Sequence, residues 1–432
     1  MQFTFEINEE YEADVFVAGG GPAGVSAAVT CARQGKRVYL AESYGAFGGT
    51  GTVGMVPEFM NFDDGENFLA GGIGREIAEQ MVGPIKSYDR REYVVDTEKL
   101  KRLYDSLMTE AGVHFSFFTT LIALEKNDES TVRRAILFSC GRIFAVKAQV
   151  FIDCTGNGDL CAMAGAKWKL GNDDGLTMPA TLCSLWADIV FEKTPARDDV
   201  YLDKAIADGV IPTCDKLLPG IKRIKGSVGG GNIGHCFGVD PTDACSMTKA
   251  MVSARRDLCG YETYYKQYLT GYENMFLCAT ANMLGVRESR RILGDNVLKN
   301  EHYDNCAVFQ NEIGRYSYPR DIHLEKPTVE AHAEFEKRIC ARHGKGESYG
   351  IPYGALTPQK LRNVLTAGKC ISADRAMQAS VRVVPGCYIT GQAAGMAAVI
   401  ACECEGNVRG FAVNNLQEAL IGIGAFLPNY QK

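Results

Sequence analysis

The chain has 432 residues, 46% of them hydrophobic and 23% charged, with a formal net charge of −6. That length suits two domains or one large domain with an insertion, and the composition is ordinary for a soluble globular protein. The acidic balance gives no general attraction to nucleic acid or to an anionic membrane surface, which sets those two classes of partner aside.

The first residues, Met1-Gln2-Phe3-Thr4-Phe5-Glu6, have no basic region leading into an apolar one, and no long uninterrupted apolar run suggests a bilayer span. A cytoplasmic location is the expectation. The 16 cysteines contain no C-x-x-C pair, and the six histidines show no H-x-H or H-x-x-x-H pairing. Cys31, Cys154, Cys278 and Cys370 sit inside apolar segments and read as small hydrophobes. No metal site is expected, and reduced thiols are the default.

In chain order, Asp14-Val15-Phe16-Val17-Ala18 reads as a buried strand running into Gly19-Gly20-Gly21-Pro22-Ala23-Gly24. A helix rich in small residues follows, from Pro22 to about Arg33, and Arg37-Val38-Tyr39-Leu40-Ala41 supplies a second strand that ends at Glu42. Gly19 permits the tight turn, Gly21 lets backbone N–H groups approach a pyrophosphate, and Gly24 lets the helix pack close to the sheet. The helix N-terminus suits phosphate because its N–H donors are unpaired and its dipole end is positive. Glu42 stands where a carboxylate accepts hydrogen bonds from ribose hydroxyls, with Ser43 beside it. The glycine pattern alone is weak; with a strand before it, a helix after it and an acid further on, it predicts a dinucleotide site.

Residues 45–52 form a second glycine-rich loop, and 97–111 carry helical periodicity closed by Gly112. Residues 113–125 and 132–146 alternate like strands, with a turn at Cys140-Gly141. Residues 150–153 are another buried strand, ending in Cys154-Thr155-Gly156-Asn157-Gly158-Asp159. Between 167 and 354 the texture changes: both tryptophans lie here, with tyrosine-rich helical stretches such as 261–268. Nucleotide-domain style returns at Val364-Leu365-Thr366-Ala367-Gly368, and Gly391-Gln392-Ala393-Ala394-Gly395 reads as the start of an alanine-rich helix. The division predicted is a first nucleotide-domain part over 1–166, an inserted substrate (cap) domain over 167–354, and a second nucleotide-domain part over 355–432. No internal repeat is present.

Four blocks carry a resemblance over most of the chain: Gly19–Gly24 as written above, Asp153-Cys154-Thr155-Gly156-Asn157-Gly158-Asp159, Leu284-Gly285-Val286-Arg287-Glu288-Ser289-Arg290-Arg291-Ile292, and Gly391-Gln392-Ala393-Ala394-Gly395. In this order they resemble flavoproteins of the glutathione-reductase-like superfamily, and more closely the FAD-dependent oxidoreductase family (FAD_oxidored type). The Arg-Glu-Ser-Arg-Arg block, with Asp321-Ile322-His323 after it, is the part specific to that family. The resemblance implies an α/β fold: a doubly wound, Rossmann-like FAD domain with an inserted α+β cap.

It also implies the cofactor contacts. Gly19, Gly21, Pro22, Ala23 and Gly24 would hold the FAD pyrophosphate, with Glu42 and Ser43 at the adenosine ribose. Gly48, Gly49 and Thr50 would pass near the ribityl chain and ring, and Leu121 would lend backbone groups to adenine. Thr155, Gly156 and Asp159 would line the nucleotide end, and Arg382 would face the flavin. The helix beginning near Gly391, with Gln392, Ala393 and Ala394, would aim its N-terminus at the N1–C2=O edge, stabilising charge left by hydride addition. Relatives that attach FAD covalently use a histidine in the loop corresponding to residues 47–52; this loop has none, so noncovalent FAD is expected.

Gly229-Gly230-Gly231-Asn232-Ile233-Gly234 repeats the glycine spelling without a buried strand before it, and reads as a loop near the substrate. No second nicotinamide-nucleotide domain is evident, so a separate electron acceptor or donor is expected. Arg287, Arg290 and Arg291, spaced i, i+3 and i+4, would share a helix face and clamp an oxyanion, or else pair with acids structurally. His323 and His235 are candidate general bases. Tyr349 and Tyr353 fit either a place against the flavin or ordinary packing. The leading expectation is dehydrogenation or oxidation of a small polar, hydroxylated molecule. A reductase of an activated C=C bond with an arginine proton donor, or an electron-carrying component of a complex, are the alternatives. A homo-oligomer is compatible with all three.

Overall fold

The computed structural model describes residues 7, 9–211, 213–323, 325–328, 330, 333–334 and 342–431. The elements that build the site begin with Glu10–Glu12 (β1), Val15–Ala18 (β2), Pro22–Arg33 (α1) and Val38–Ala41 (β3). Ile73–Val82 (α2), Thr97–Glu110 (α3) and His114–Ser116 (β4) follow. Thr119–Lys126 (β5), Val132–Ser139 (β6) and Arg142–Lys147 (β7) make an antiparallel meander before Val150–Asp153 (β8) and Asp159–Ala164 (α4). Ser184–Ala187 (β9), Gly220–Lys225 (β10), Val228–Asn232 (β11), Ala244–Tyr268 (α5) and Phe276–Thr280 (β12) come next. The chain closes with Glu312–Tyr316 (β13), Tyr349–Pro352 (β14), Val364–Thr366 (β15), Arg375–Val381 (α6), Val384–Cys402 (α7) and Val413–Gly422 (α8).

The central sheet is parallel, in the order β15-β8-β2-β3-β4. Every residue of β2, β3, β8 and β15 is buried, and apart from Asp153 and Thr366 at their carboxyl ends these strands read as continuous apolar runs rather than alternating ones. From β2 the chain builds outward through β3 and β4, whereas β8 and β15 lie on its other side. The order therefore reverses between β2 and β8, and a crevice opens beyond their carboxyl ends. Helix α3 starts where the Asp96 side chain accepts the amides of Glu98 and Lys99, and ends at Gly112, whose φ is 73°.

Helices α1 and α7 cross at very short range. A Cβ at Gly391 would meet the Ala23 carbonyl oxygen at 2.2 Å, and one at Gly395 would meet that of Ala27 at 2.5 Å. Glycines one helical turn apart on α7 thus let the two backbones touch. By length and composition α7 meets the requirement for a membrane span; 83% of it is enclosed by the protein. Pro385, Gly391 and Gln392 interrupt its apolar run.

Two of the apolar clusters bear on the site and are separate. One surrounds α1, α3 and α7; the other runs from Ala180 to Leu284 and joins the antiparallel sheet β10-β11-β9-β12 to α5. Leu298, Tyr303, Ile313, Tyr316, Tyr349 and Ile351, placed by the sequence in the inserted unit, pack into the first cluster. The reason is the antiparallel pair β13–β14, which lies on α7 so closely that a Cβ at Gly314 would meet Ile389 at 2.4 Å. Cys278, read as a small core hydrophobe, is exposed, because β12 is an edge strand.

Candidate active site

The crevice at the ends of β2 and β8 holds a cavity of about 390 Å³. Gly19, at φ +92°, turns the chain where a Cβ would meet the Cys154 carbonyl oxygen at 2.6 Å. Gly21 differs: nothing in the protein lies within 4 Å of where its Cβ would be. Gly19, Gly21, Pro22, Ala23, Glu42, Ser43, Gly49, Thr50, Leu121, Thr155, Gly156, Asp159 and Arg382, all singled out from the sequence, line this cavity. No side chain caps α1 and no acid lies in its first turn, so its N-terminal amides face the cavity with their positive end unopposed. Glu42 Oε2 accepts the Gly20 amide at 2.6 Å and Oε1 the Tyr44 amide at 2.8 Å. Burial pushes its carboxyl up, against the pull of those amides.

A second cavity, of about 360 Å³, adjoins the first. The two share Thr50, Val286, Lys369, Arg382 and Val384. Val383 and Val384 begin α7, so the helix N-terminus faces the junction. Lys369 donates to the Val286 carbonyl at 2.9 Å, and it keeps part of its surface open to the cavities. Burial brings its amine down to about 8. Arg287, 8% exposed, lines the second cavity and donates to the Pro179 carbonyl at 2.9 Å and to Thr181 Oγ1 at 2.8 Å. Burial and nearby Arg382 bring it down to about 10.

His323 also lines the second cavity, inside a chain of contacts that runs from Asp321 to Asp215. Its Nε2 lies 3.1 Å from Asp321 Oδ1, and its Nδ1 lies 3.1 Å from His235 Nε2. His235 Nδ1 in turn lies 2.8 Å from Asp215 Oδ2. Arg382 donates to Asp321 Oδ2 at 2.8 Å. The side chains of His235, His323, Asp215 and Asp321 are all largely buried, at 4%, 6%, 7% and 13% exposure. Burial and the charge of Arg287 push His323 down to about 3, against the pull of Asp321. Burial also lowers His235, against Asp215. Asp321 is held well below the usual carboxylate range by His323, Arg382 and Arg287, despite its burial.

Several expectations need correcting. Residues 281–290 form no helix, so Arg287, Arg290 and Arg291 share no face. They diverge: Arg290 pairs with Asp159 at 2.7 Å and stacks over Trp168, while Arg291 pairs with buried Glu288. Arg290 lines neither cavity. Gly391, Gln392, Ala393 and Ala394 lie inside α7, about two turns past its start, and line neither cavity. Gln392 instead accepts the Ile73 amide at 2.9 Å and so caps α2. Gly24 and Gly48 also stay behind the cavity walls. A Cβ at Gly24 would meet the Gly19 carbonyl oxygen at 1.9 Å, and one at Gly48 would meet Thr52 and Tyr104. The second glycine run is no loop: Gly229, Gly230 and Gly231 lie in β11 and are pressed against Ile221, Pro57 and Trp186. Tyr349 bonds to Ser380 and Tyr353 to the Val408 carbonyl, both in the core.

Lys369, Asp321 and Asp215 were missed as site residues. Lys369 follows Gly368 at the carboxyl end of β15, the edge where α/β sheets place ligands, which was a usable signal. Asp321, two residues before His323, was another. Asp215 had none, because only folding brings it to His235.

Comparison with solved structures finds chains of similar size at low identity. A geranylgeranyl bacteriochlorophyll reductase-like protein from Thermoplasma acidophilum is 11% identical over 96% of this chain and 85% of its own, with a TM-score of 0.48. The flavin-dependent brominase Bmp2 is 12% identical over 95% and 83%, with a TM-score of 0.44. The myxobacterial chondrochloren halogenase CndH is 12% identical over 95% and 78%, at 0.43. No curated protein matches significantly. The profile of one family matches residues 14–420, nearly the whole length, and the chain therefore belongs to the FAD dependent oxidoreductase family, with FAD as its cofactor.

Proposed function

We propose that this FAD-dependent oxidoreductase dehydrogenates a small polar, hydroxylated molecule bound in the second cavity. The observation that carries the reading is the wall common to both cavities: a group held in the first faces, across Thr50, Val286, Lys369, Arg382 and Val384, a molecule held in the second. The residues fit FAD. The open space at Gly21 and the uncapped N-terminus of α1 suit a pyrophosphate, and Glu42 and Ser43 line the end that suits the adenosine ribose. Thr155, Gly156 and Asp159 would line that end too, with Gly49 and Thr50 nearer the junction. When bound, FAD supplies two-electron exchange with a substrate carbon. Lys369, Arg382 and the start of α7 give the junction a positive potential. The residues between Ala180 and Leu284 act as the cap, closing the second cavity with Thr181, Cys183, Leu217, Pro219, Lys222 and Asn232. With no histidine between residues 47 and 52, we take FAD to be noncovalent; the flavin would then leave with acid.

His323 is the histidine placed to receive the proton of the substrate hydroxyl, with the Asp321 carboxylate beside it to offset the charge that forms against the cost of burial. Three nitrogen contacts run from Asp215 through His235 and His323 to Asp321, and two neutral imidazoles carry one proton fewer than those contacts need. Asp215 faces one end of the run and Asp321 the other, so the two imidazoles share their protons between two carboxylates. His323, the histidine of that run that borders the cavity, is the one placed to pass a proton along it. Arg382 offsets the charge of Asp321 beside it. Asp215 and His235 act as positioning residues, as an orienting carboxylate does for a catalytic histidine.

A second reading, reduction of an activated C=C bond, is favoured by one observation: Arg287 borders the same cavity with its guanidinium brought down to about 10. Anaerobic mixing of the yellow protein with a panel of small alcohols, hydroxy acids and sugars separates the two. Bleaching by a hydroxylated compound is the expected result. Inertness to all of them, with rapid reoxidation of the dithionite-reduced protein by an enoate, would overturn the dehydrogenase reading.

A further inference from the structure

We infer that the substrate carries a carboxylate, bound by Arg287 in the second cavity; this rests on the reading of that cavity as the substrate site. The wall contains five cationic side chains, Lys222, Arg287, Arg342, Lys369 and Arg382, against three acidic ones, Glu58, Glu92 and Asp321. Lys222 pairs with Glu58 at 3.3 Å and Arg382 with Asp321 at 2.8 Å. Arg287 and Lys369 are different. Among the described residues both donate only to neutral acceptors and neither forms an ion pair.

A guanidinium that is more than nine-tenths buried and lacks a counter-ion is unfavourable unless something anionic completes it. The protein holds it nonetheless, with Thr181 and Pro179 fixing one edge and the Gln378 amide fixing its backbone carbonyl at 3.0 Å. The nearest acids are already engaged: Asp321 with Arg382 and His323, and Asp215 with His235. The remaining charge therefore belongs to the ligand. Lys369 faces both cavities and is shared with the cofactor's side, which leaves Arg287 to the substrate alone. One planar guanidinium matches one carboxylate, and Glu58 and Glu92 in the same wall oppose a second negative charge. Val56, Met60, Leu217 and Pro219 supply an apolar remainder, which suits the carbon skeleton of a small hydroxy acid.

The test is a binding titration of the FAD-loaded protein, read from its visible spectrum under anaerobic conditions with no turnover required. The probes are glycolate, acetate, ethylene glycol, methylammonium and inorganic phosphate. Glycolate and acetate are expected to bind saturably and at least about tenfold more tightly than the neutral and cationic probes, the scale of one charged hydrogen bond. Arg287→Met should erase that preference while the variant still binds FAD, and Arg287→Lys should keep part of it. Thr181→Val, which removes one of the groups orienting the guanidinium, should weaken glycolate by a smaller factor and guards against misfolding of the first variant. Equal binding of glycolate and ethylene glycol, tighter binding of phosphate, or an undiminished carboxylate preference in both Arg287→Met and Thr181→Val would overturn the inference. Saturable binding of glycolate with no bleaching of the flavin by any hydroxy acid counts against the dehydrogenase reading and leaves this inference standing.

Discussion

His235 Nε2 lies 3.1 Å from His323 Nδ1, so a residue on the loop after β11 and one on the loop after β13 share a single hydrogen bond. With Asp215 at one end and Asp321 at the other, that bond makes the protonation of the cavity wall a property of four residues rather than of one.

Asp215→Asn removes the carboxylate charge beside His235 while leaving the cavity wall in place. Reduction by the substrate is expected to slow by roughly a hundredfold, the low end of what positioned acid–base groups contribute, with FAD affinity unchanged. Stopped-flow reduction and a flavin titration on the same preparation check it. A merely structural role for Asp215 would lower stability without slowing reduction of the folded fraction.

Acid should destabilise the protein through His323. Its folded value of about 3 lies below its ordinary 6.5, so the unfolded chain binds more protons between those limits. Stability from this group is present above 6.5 and is lost as pH falls toward about 3. Urea unfolding across that range should show a shallower pH slope in His323→Gln than in the parent.

Lys369 should impose a step on cofactor binding. Its amine is charged below about 8 and neutral above, so affinity for the anionic cofactor should fall as pH rises through that value. Lys369→Met should bind FAD roughly tenfold more weakly at neutral pH and lack the step. Fluorescence titrations of FAD at several pH values decide it.

Two glycines should respond in opposite ways to the same substitution. Gly21→Ala places a methyl group where no protein atom lies within 4 Å, so the apoprotein should melt normally but bind FAD poorly. Gly391→Ala drives a methyl group to within 2.2 Å of the Ala23 carbonyl oxygen, forcing α1 and α7 apart. That should cost about 1–3 kcal/mol of stability, measurable by denaturant unfolding.

Much of the nucleotide crevice was legible in the chain. The turn at Gly19, the free approach at Gly21, and Glu42 at the end of β3 belong to one strand–turn–helix–strand unit, and local chain geometry dictates such units. The same holds for the helix over 97–110, whose periodicity and closing Gly112 can be read directly, while its Asp96 cap came from the structure. The start of α7 was not legible. Val383 begins the helix, and Gly391 looks like a beginning only because glycine commonly marks one; here its small size serves contact with α1. Likewise the arginine spacing 287, 290 and 291 suggests a common face only if a helix exists, and an extended segment sends the three side chains to different partners.

What the amino-acid order settled alone was the family and, through it, the cofactor, because both depend on short contiguous blocks whose chemistry survives without knowledge of their surroundings. What required the folded chain was the partnership of Asp215, His235, His323 and Asp321, and the junction at Lys369 and Arg382. Those groups come from segments far apart along the backbone, and spacing in one dimension carries no record of which buried charges meet. Their protonation follows from burial and neighbouring charge, and both exist only once the layers have closed.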